Sequence, residues 1–262
     1  MSFLRPAFLG AAGIVIAFGA AELGVWLGGA GRVDLPLPSS VVAQAAELIT
    51  TGGFLSAVGS TMTAWLWAMV ITVAIAVPVG VLFGLVPWTE WALQPVLEFV
   101  RPIPSVVLLP LILLIVQDNT RTEIAVIVIA SLWPVLLNTV YGFREVDPLA
   151  KETLRSFGFG PLAVMWHVSV PAAGPFIATG VRIAASTAFV VAIAAELVGT
   201  GMNGVGAFAG QAQGGVDGVP VMIATALWSG VIGIAINTAL TRVERRAFRW
   251  HFTRSGELAG QA

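Results

Sequence analysis

Apolar residues along this chain come in long unbroken runs separated by short polar connectors. Phe8–Gly29 is interrupted in polarity only by Glu22. At 1.5 Å per residue that run reaches about 33 Å, enough to cross the hydrocarbon core of a bilayer. Arg5 precedes it as in a secretory leader, but the apolar stretch is longer than a leader's, so a retained helix is expected. Five further spans are predicted: Phe54–Val86 (with Pro78, Gly80 and Gly84), about Val100–Val116, Ile124–Tyr141, Pro171–Val198 and Val219–Leu240. The third opens on Arg101-Pro102-Ile103-Pro104 and meets Pro110, which predicts a partly extended or kinked start. Between spans, Arg32–Thr51 carries Asp34, Pro36, Pro38, Ser39 and Ser40 and reads as a loop leading into a short amphipathic helix. Gln117–Glu123 reads as a polar turn.

Composition narrows the class. Of 262 residues 57% are hydrophobic and 10% charged, well under half the charge of a soluble domain, and the mean hydropathy is +0.92. A soluble enzyme and a disordered chain are thereby excluded. With 13 Lys+Arg against 14 Asp+Glu there is no basic excess for nucleic acid. Zero Cys removes disulfides and thiolate chemistry. A transmembrane barrel would alternate apolar and polar residues in segments of roughly ten, which these runs do not. The expected fold class is an all-α membrane protein of about six transmembrane helices in a single domain. It comprises an N-terminal helix and outer loop over 1–53, a five-helix core over 54–242 that includes a cytoplasmic segment over 144–171, and a cytoplasmic tail over 243–262. No phosphate-binding loop is present, so if ATP drives the protein, ATP and Mg are bound by a separate chain, and no cofactor is expected in this one.

Placing the N-terminus inside puts Arg5, Arg144, Lys151, Arg155, Arg242, Arg245, Arg246, Arg249 and Arg254 on the cytoplasmic side, with Arg101 near that interface. Only Arg32 and Arg121 fall outside. The bias places both termini in the cytoplasm. It also places the polar segment after the fourth span there. Within it Asp147 suits an N-cap and Pro148 the first helical position. Leu149, Ala150, Thr153, Leu154 and Phe157 share one helical face, while Lys151, Glu152, Arg155 and Ser156 share the other. Gly158 can end the helix left-handed, and Gly160-Pro161 blocks its continuation. Such a helix lies on the bilayer surface or docks on a protein.

The spacing Glu152-x5-Gly158-x7-Trp166-x4-Pro171 resembles the EAA loop of binding-protein-dependent ABC importer permeases. Leu35-Pro36-Leu37-Pro38-Ser39, Val77-Pro78-Val79-Gly80, Arg101-Pro102-Ile103-Pro104, Leu137-Asn138-Thr139 and Gly180-Val181-Arg182-Ile183-Ala184 look like the nitrate/sulfonate/taurine branch. So do Ala194-Ala195-Glu196-Leu197 and the basic ending Arg242-Val243-Glu244-Arg245-Arg246. Thr153-Leu154 stands where the motif has Ala-Ala, so a bulkier side chain would meet the ATPase groove.

The resemblance implies the transmembrane subunit of a type I importer, not an enzyme, working by alternating access. It implies a second permease copy, a cytoplasmic ATPase dimer, an extracytoplasmic solute-binding protein and a plasma or inner membrane location. It also makes Asp147, Leu149, Glu152, Leu154, Arg155, Phe157, Gly158 and Pro171 the ATPase-coupling residues. The cargo would be a small anion such as a sulfonate, taurine or nitrate. The alternatives are another small organic solute such as a pyrimidine, or a stand-alone secondary transporter or channel.

Charges inside spans are candidates for function. Arg182 and Glu196 are 14 residues apart on the fifth span, about 21 Å along its axis, too far to pair on one straight helix. They either line the translocation path or each pair with another helix to hold the fold. Gly199, Gly201, Asn203, Gly204 and Gly206 read as a flexible outer loop, with Gln211 and Gln213 solvated beside it. Trp26, Trp65, Trp67, Trp88, Trp91 and Trp250 fit an interfacial belt. His167 and His251 are too few for a metal site.

Overall fold

The computed structural model describes residues 4–28, 36–86, 95, 99, 103–199, 201–215 and 218–249. Arg32, Asp34, Leu35, Trp88, Trp91, Arg101, Pro102, Trp250, His251 and Arg254, all named above, lie outside the described residues. The described residues form helices α1 (Leu4–Gly28), α2 (Pro38–Leu48) and α3 (Gly52–Leu85), a 3-10 turn Ser105–Leu108 running into α4 (Leu109–Val116), and α5 (Asn119–Arg144). Then come α6 (Pro148–Ser156), α7 (Pro161–Val164), a π turn Met165–Ser169, α8 (Val170–Val198), α9 (Val205–Ala212) and α10 (Gly218–Ala247). No strand occurs among them. Among the described residues four stretches are long and apolar enough to cross a membrane: α3, α5, Pro161–Val198 and α10. The apolar part of α1 and the segment Ser105–Val116 supply the two further apolar helices.

The third span opens as expected, with Pro104 extended, a 3-10 turn over Ser105–Leu108 and Pro110 in the first turn of α4. Among the described residues its regular structure covers Ser105–Val116, about 18 Å of rise if helical throughout. Gln117 then stops it in the left-handed region at φ 54°. The polar turn expected over Gln117–Glu123 is instead mostly helix. Asp118 caps α5 by accepting the Arg121 N–H at 2.7 Å, so Asn119–Glu123 become its first turn.

The bundle is built around α5, which packs against α3 on one side and α8 on the other. Contact there depends on missing side chains. A Cβ on Gly80 would stand 2.7 Å from the Thr139 Cβ, one on Gly84 2.7 Å from Phe143, one on Gly142 2.7 Å from Phe176 and one on Gly180 2.7 Å from Asn138. The α8 face that meets α5 and α3 is a ladder of alanines, 184, 185, 188 and 192, all buried. In lipid, where no hydrophobic drive separates helix from tail, close backbone approach through small residues is what holds helices together.

The lone acid of the first span also finds its reason. The Glu22 carboxylate accepts the Ser39 backbone N–H at 2.9 Å and the Ser39 hydroxyl at 2.7 Å. It thereby satisfies one of the open donors at the start of α2. Otherwise α1 presents large apolar side chains outward, with Leu9 and Trp26 both largely exposed.

Candidate functional site: the coupling helix and the polar groups inside the bundle

Helix α6 is set by its ends. Asp147 Oδ1 accepts the Leu149 N–H at 2.9 Å, and Pro148 occupies the first turn. At the other end Gly158 has φ +85°. Its N–H donates to the Arg155 carbonyl at 2.9 Å and the Phe159 N–H to the Leu154 carbonyl at 3.1 Å, the paired closure of a glycine C-cap. Both ends were legible from residue types alone. No residue of α6 is buried. Leu149 is 68% exposed and Phe157 77%, and Phe159, Leu162 and Trp166 continue this apolar surface onto the next segment. Leu154 is half-buried; Glu152 and Arg155 are exposed on the other side of the helix.

From α7 the chain runs without a break into α8. The π turn between them is closed by the Val170 N–H donating to the Met165 carbonyl, and Pro171 follows in the first turn of α8. His167 turns its Nδ1 to the Ala163 carbonyl at 2.8 Å, a local contact.

Arg182 and Glu196 do not meet. Arg182 Nε donates to Glu244 Oε2 at 2.9 Å, tying α8 to α10, and the Thr179 hydroxyl donates to Glu244 Oε1 at 2.8 Å. This pair borders a cavity of about 510 Å³ between α5, α8 and α10. Glu196, only 1% exposed, accepts the Thr61 hydroxyl at 2.7 Å and the Gly206 N–H at 2.7 Å. Thr61 in turn accepts the Val205 N–H at 2.9 Å. One carboxyl thus ties the start of α9 to α8 and, through Thr61, to α3. The segment read as a flexible loop is in part this helix, with Val205, Gly206 and Ala207 buried. Its glycines serve closeness rather than motion, since a Cβ at Gly204 or Gly206 would run into Glu196.

Three participants escaped the sequence reading. Thr61 lies inside the apolar run Phe54–Val86, where nothing local marks it out. Glu244 was absorbed in the basic ending, although an acid among Arg242, Arg245 and Arg246 is itself a sign of a specific partner. Glu123, placed in a turn, is buried in α5 with its carboxyl against that of Glu196.

The Arg182–Glu244 tie carries a thermodynamic signature. Glu244→Leu strands the Arg182 guanidinium and should destabilise the purified chain by about 2 kcal/mol or more. The double variant Arg182→Leu/Glu244→Leu should lose less than the sum of the singles by at least ~1 kcal/mol. Additive losses in thermal unfolding would dissolve the tie.

The family profile of binding-protein-dependent transport system inner membrane components matches residues 76–249, from within α3 through the end of α10. The chain belongs to this family. It is a multi-pass membrane protein and a permease subunit of an ABC importer of this type, a class whose membrane component is not itself catalytic. Similar proteins include a probable ABC transporter permease protein of Brucella melitensis, 30% identical over 88% of this chain and 94% of the relative. The Escherichia coli taurine transport system permease protein TauC is 28% identical over 83% of this chain and 80% of its own. The Synechocystis bicarbonate transport system permease protein CmpB is 28% identical over 65% and 61%. Among solved structures, an inward-facing MetNI methionine ABC transporter chain superposes with a TM-score of 0.64 at 18% identity, covering 74% of this permease and 95% of that chain. At that identity the likeness speaks for the fold.

Proposed function

We propose that the permease imports a small anion and is driven by a separate cytoplasmic ATPase through α6. The observation that carries this reading is the solvent-facing apolar surface of a rigidly capped short helix, which gains stability only when something covers it. In this reading Leu149, Leu154 and Phe157 enter a groove of the ATPase. Asp147 and Gly158 fix the helix ends, Glu152 and Arg155 make the charged rim, and the segment up to Pro171 transmits displacement into α8. Both termini face the cytoplasm of a plasma or inner membrane. Two permease copies enclose the path, and a solute-binding protein delivers cargo from outside. Arg182 and Glu196 belong to the walls of that path by bracing it, each through its partners on other helices.

Similarity to taurine and bicarbonate permeases supports a small anion as cargo. The test is reconstitution of the permease with its ATPase and binding protein in proteoliposomes. ATP-dependent uptake of taurine, nitrate or bicarbonate is the expected result. Uptake by the permease alone, without ATP, would overturn the reading.

A further inference from the structure

The cavity between α5, α8 and α10 has a chemistry that bracing α8 to α10 does not use. Its polar lining is Asn138, Thr179, Arg182, Thr241, Glu244 and Arg245. Both oxygens of Glu244 are occupied, one by Thr179 and one by Arg182. Its charge is matched by Arg182, which leaves the lining one positive charge in excess at Arg245. Glu244 engages only Nε of Arg182, so the two terminal nitrogens keep four N–H donors for another acceptor. Asn138 spends one amide N–H on the Pro134 carbonyl at 2.8 Å and retains the second. The hydroxyls of Thr179 and Thr241 already donate elsewhere, to Glu244 and to the Asn237 carbonyl. What remains unspent is a set of donors under net positive charge, near the ends of α5 and α10.

We propose that this cavity binds one oxyanion group (phosphate, sulfate or sulfonate) between the guanidiniums of Arg182 and Arg245. Guanidinium presents paired donors at the spacing of two oxyanion oxygens. A cation is disfavoured because the only carboxylate in the lining is already saturated. At about 510 Å³ the space takes either a free small anion or a lipid phosphate with part of its headgroup. The site stands independently of the transport reading and is tested by binding rather than uptake.

The full chain, purified into nanodiscs of phosphatidylcholine alone, is titrated with sulfate and with methanesulfonate against chloride at matched ionic strength, following thermal unfolding. In a second arm, phosphatidylglycerol retained on the detergent-purified chain is measured by native mass spectrometry. A saturable rise in Tm with either free anion assigns the site to a soluble ligand. Selective retention of phosphatidylglycerol without such a rise assigns it to lipid. In either case Arg245→Gln, on an exposed side chain, should weaken binding about tenfold (~1.4 kcal/mol). Arg246→Gln, outside the lining, should leave it unchanged. No response from wild type in both arms, or equal effects of the two substitutions, overturns the site.

Discussion

Gly206→Val should destabilise the solubilised permease by about 3 kcal/mol, roughly 6–12 °C in Tm, while Gly59→Ala is neutral or slightly stabilising. Both glycines lie in helices, and only their surroundings differ. A Cβ at Gly206 meets the Ile193 carbonyl, then the Glu196 Cβ at 2.9 Å and the Leu197 nitrogen at 2.9 Å. Two of these are backbone atoms of α8, which cannot turn away. Relief requires lifting α9. That motion breaks the Gly206–Glu196 and Val205–Thr61 hydrogen bonds and strands buried donors at about 1–3 kcal/mol each. At Gly59 an added Cβ finds nothing within 4 Å, so the helix gains the usual ~0.5–1 kcal/mol advantage of Ala over Gly. Parallel thermal unfolding in one detergent decides it. Equal Tm for the two variants would mean that α9 is not locked to α8.

The pair Leu149→Asp/Phe157→Asp should reduce ATP-driven uptake at least ~10-fold with no change in Tm. Neither side chain supports the fold, since they are 68% and 77% exposed. An aspartate placed there stays hydrated while the permease is alone. It loses its water only when a partner closes over α6, where an unpaired buried charge costs several kcal/mol. Uptake and co-purification with the ATPase should therefore fall together while insertion and unfolding stay as in wild type. Wild-type uptake by this double variant would place the ATPase contact elsewhere.

What could be read from residues alone divides by the range of the forces involved. The long spans and both caps of α6 depend on neighbours within one or two turns, so Asp147, Pro148 and Gly158 declared themselves. The polar sites inside the bundle depend on partners far along the chain. Glu196 is joined to Thr61 across 135 positions and Arg182 to Glu244 across 62. No local spacing encodes such a pairing. Glycine misled for a related reason. The run Gly199–Gly206 has the composition of a mobile loop, yet Gly204 and Gly206 are needed because a carboxyl fills the space where their side chains would be. Glu123 was assigned to a turn because its polar neighbours hid the helix start that Asp118 creates.

The π turn before α8 has a consequence of angle. A π turn holds one residue more than an α turn, and here it interrupts the stretch running from Pro161 to Val198. Because the turn absorbs its extra residue, deleting one residue from Met165–Ser169 and letting it relax to α geometry would leave α6 on nearly its present bearing, whereas deleting one from the α-helical part of α8 would rotate everything before it by about 100° around the axis, with ~1.5 Å of axial shift. Helix α6 would then point its apolar side in another compass direction, with every one of its own residues unchanged. The bearing of that surface is written in the residue count of α8, and the π turn is the one place where that count can change by one without turning it.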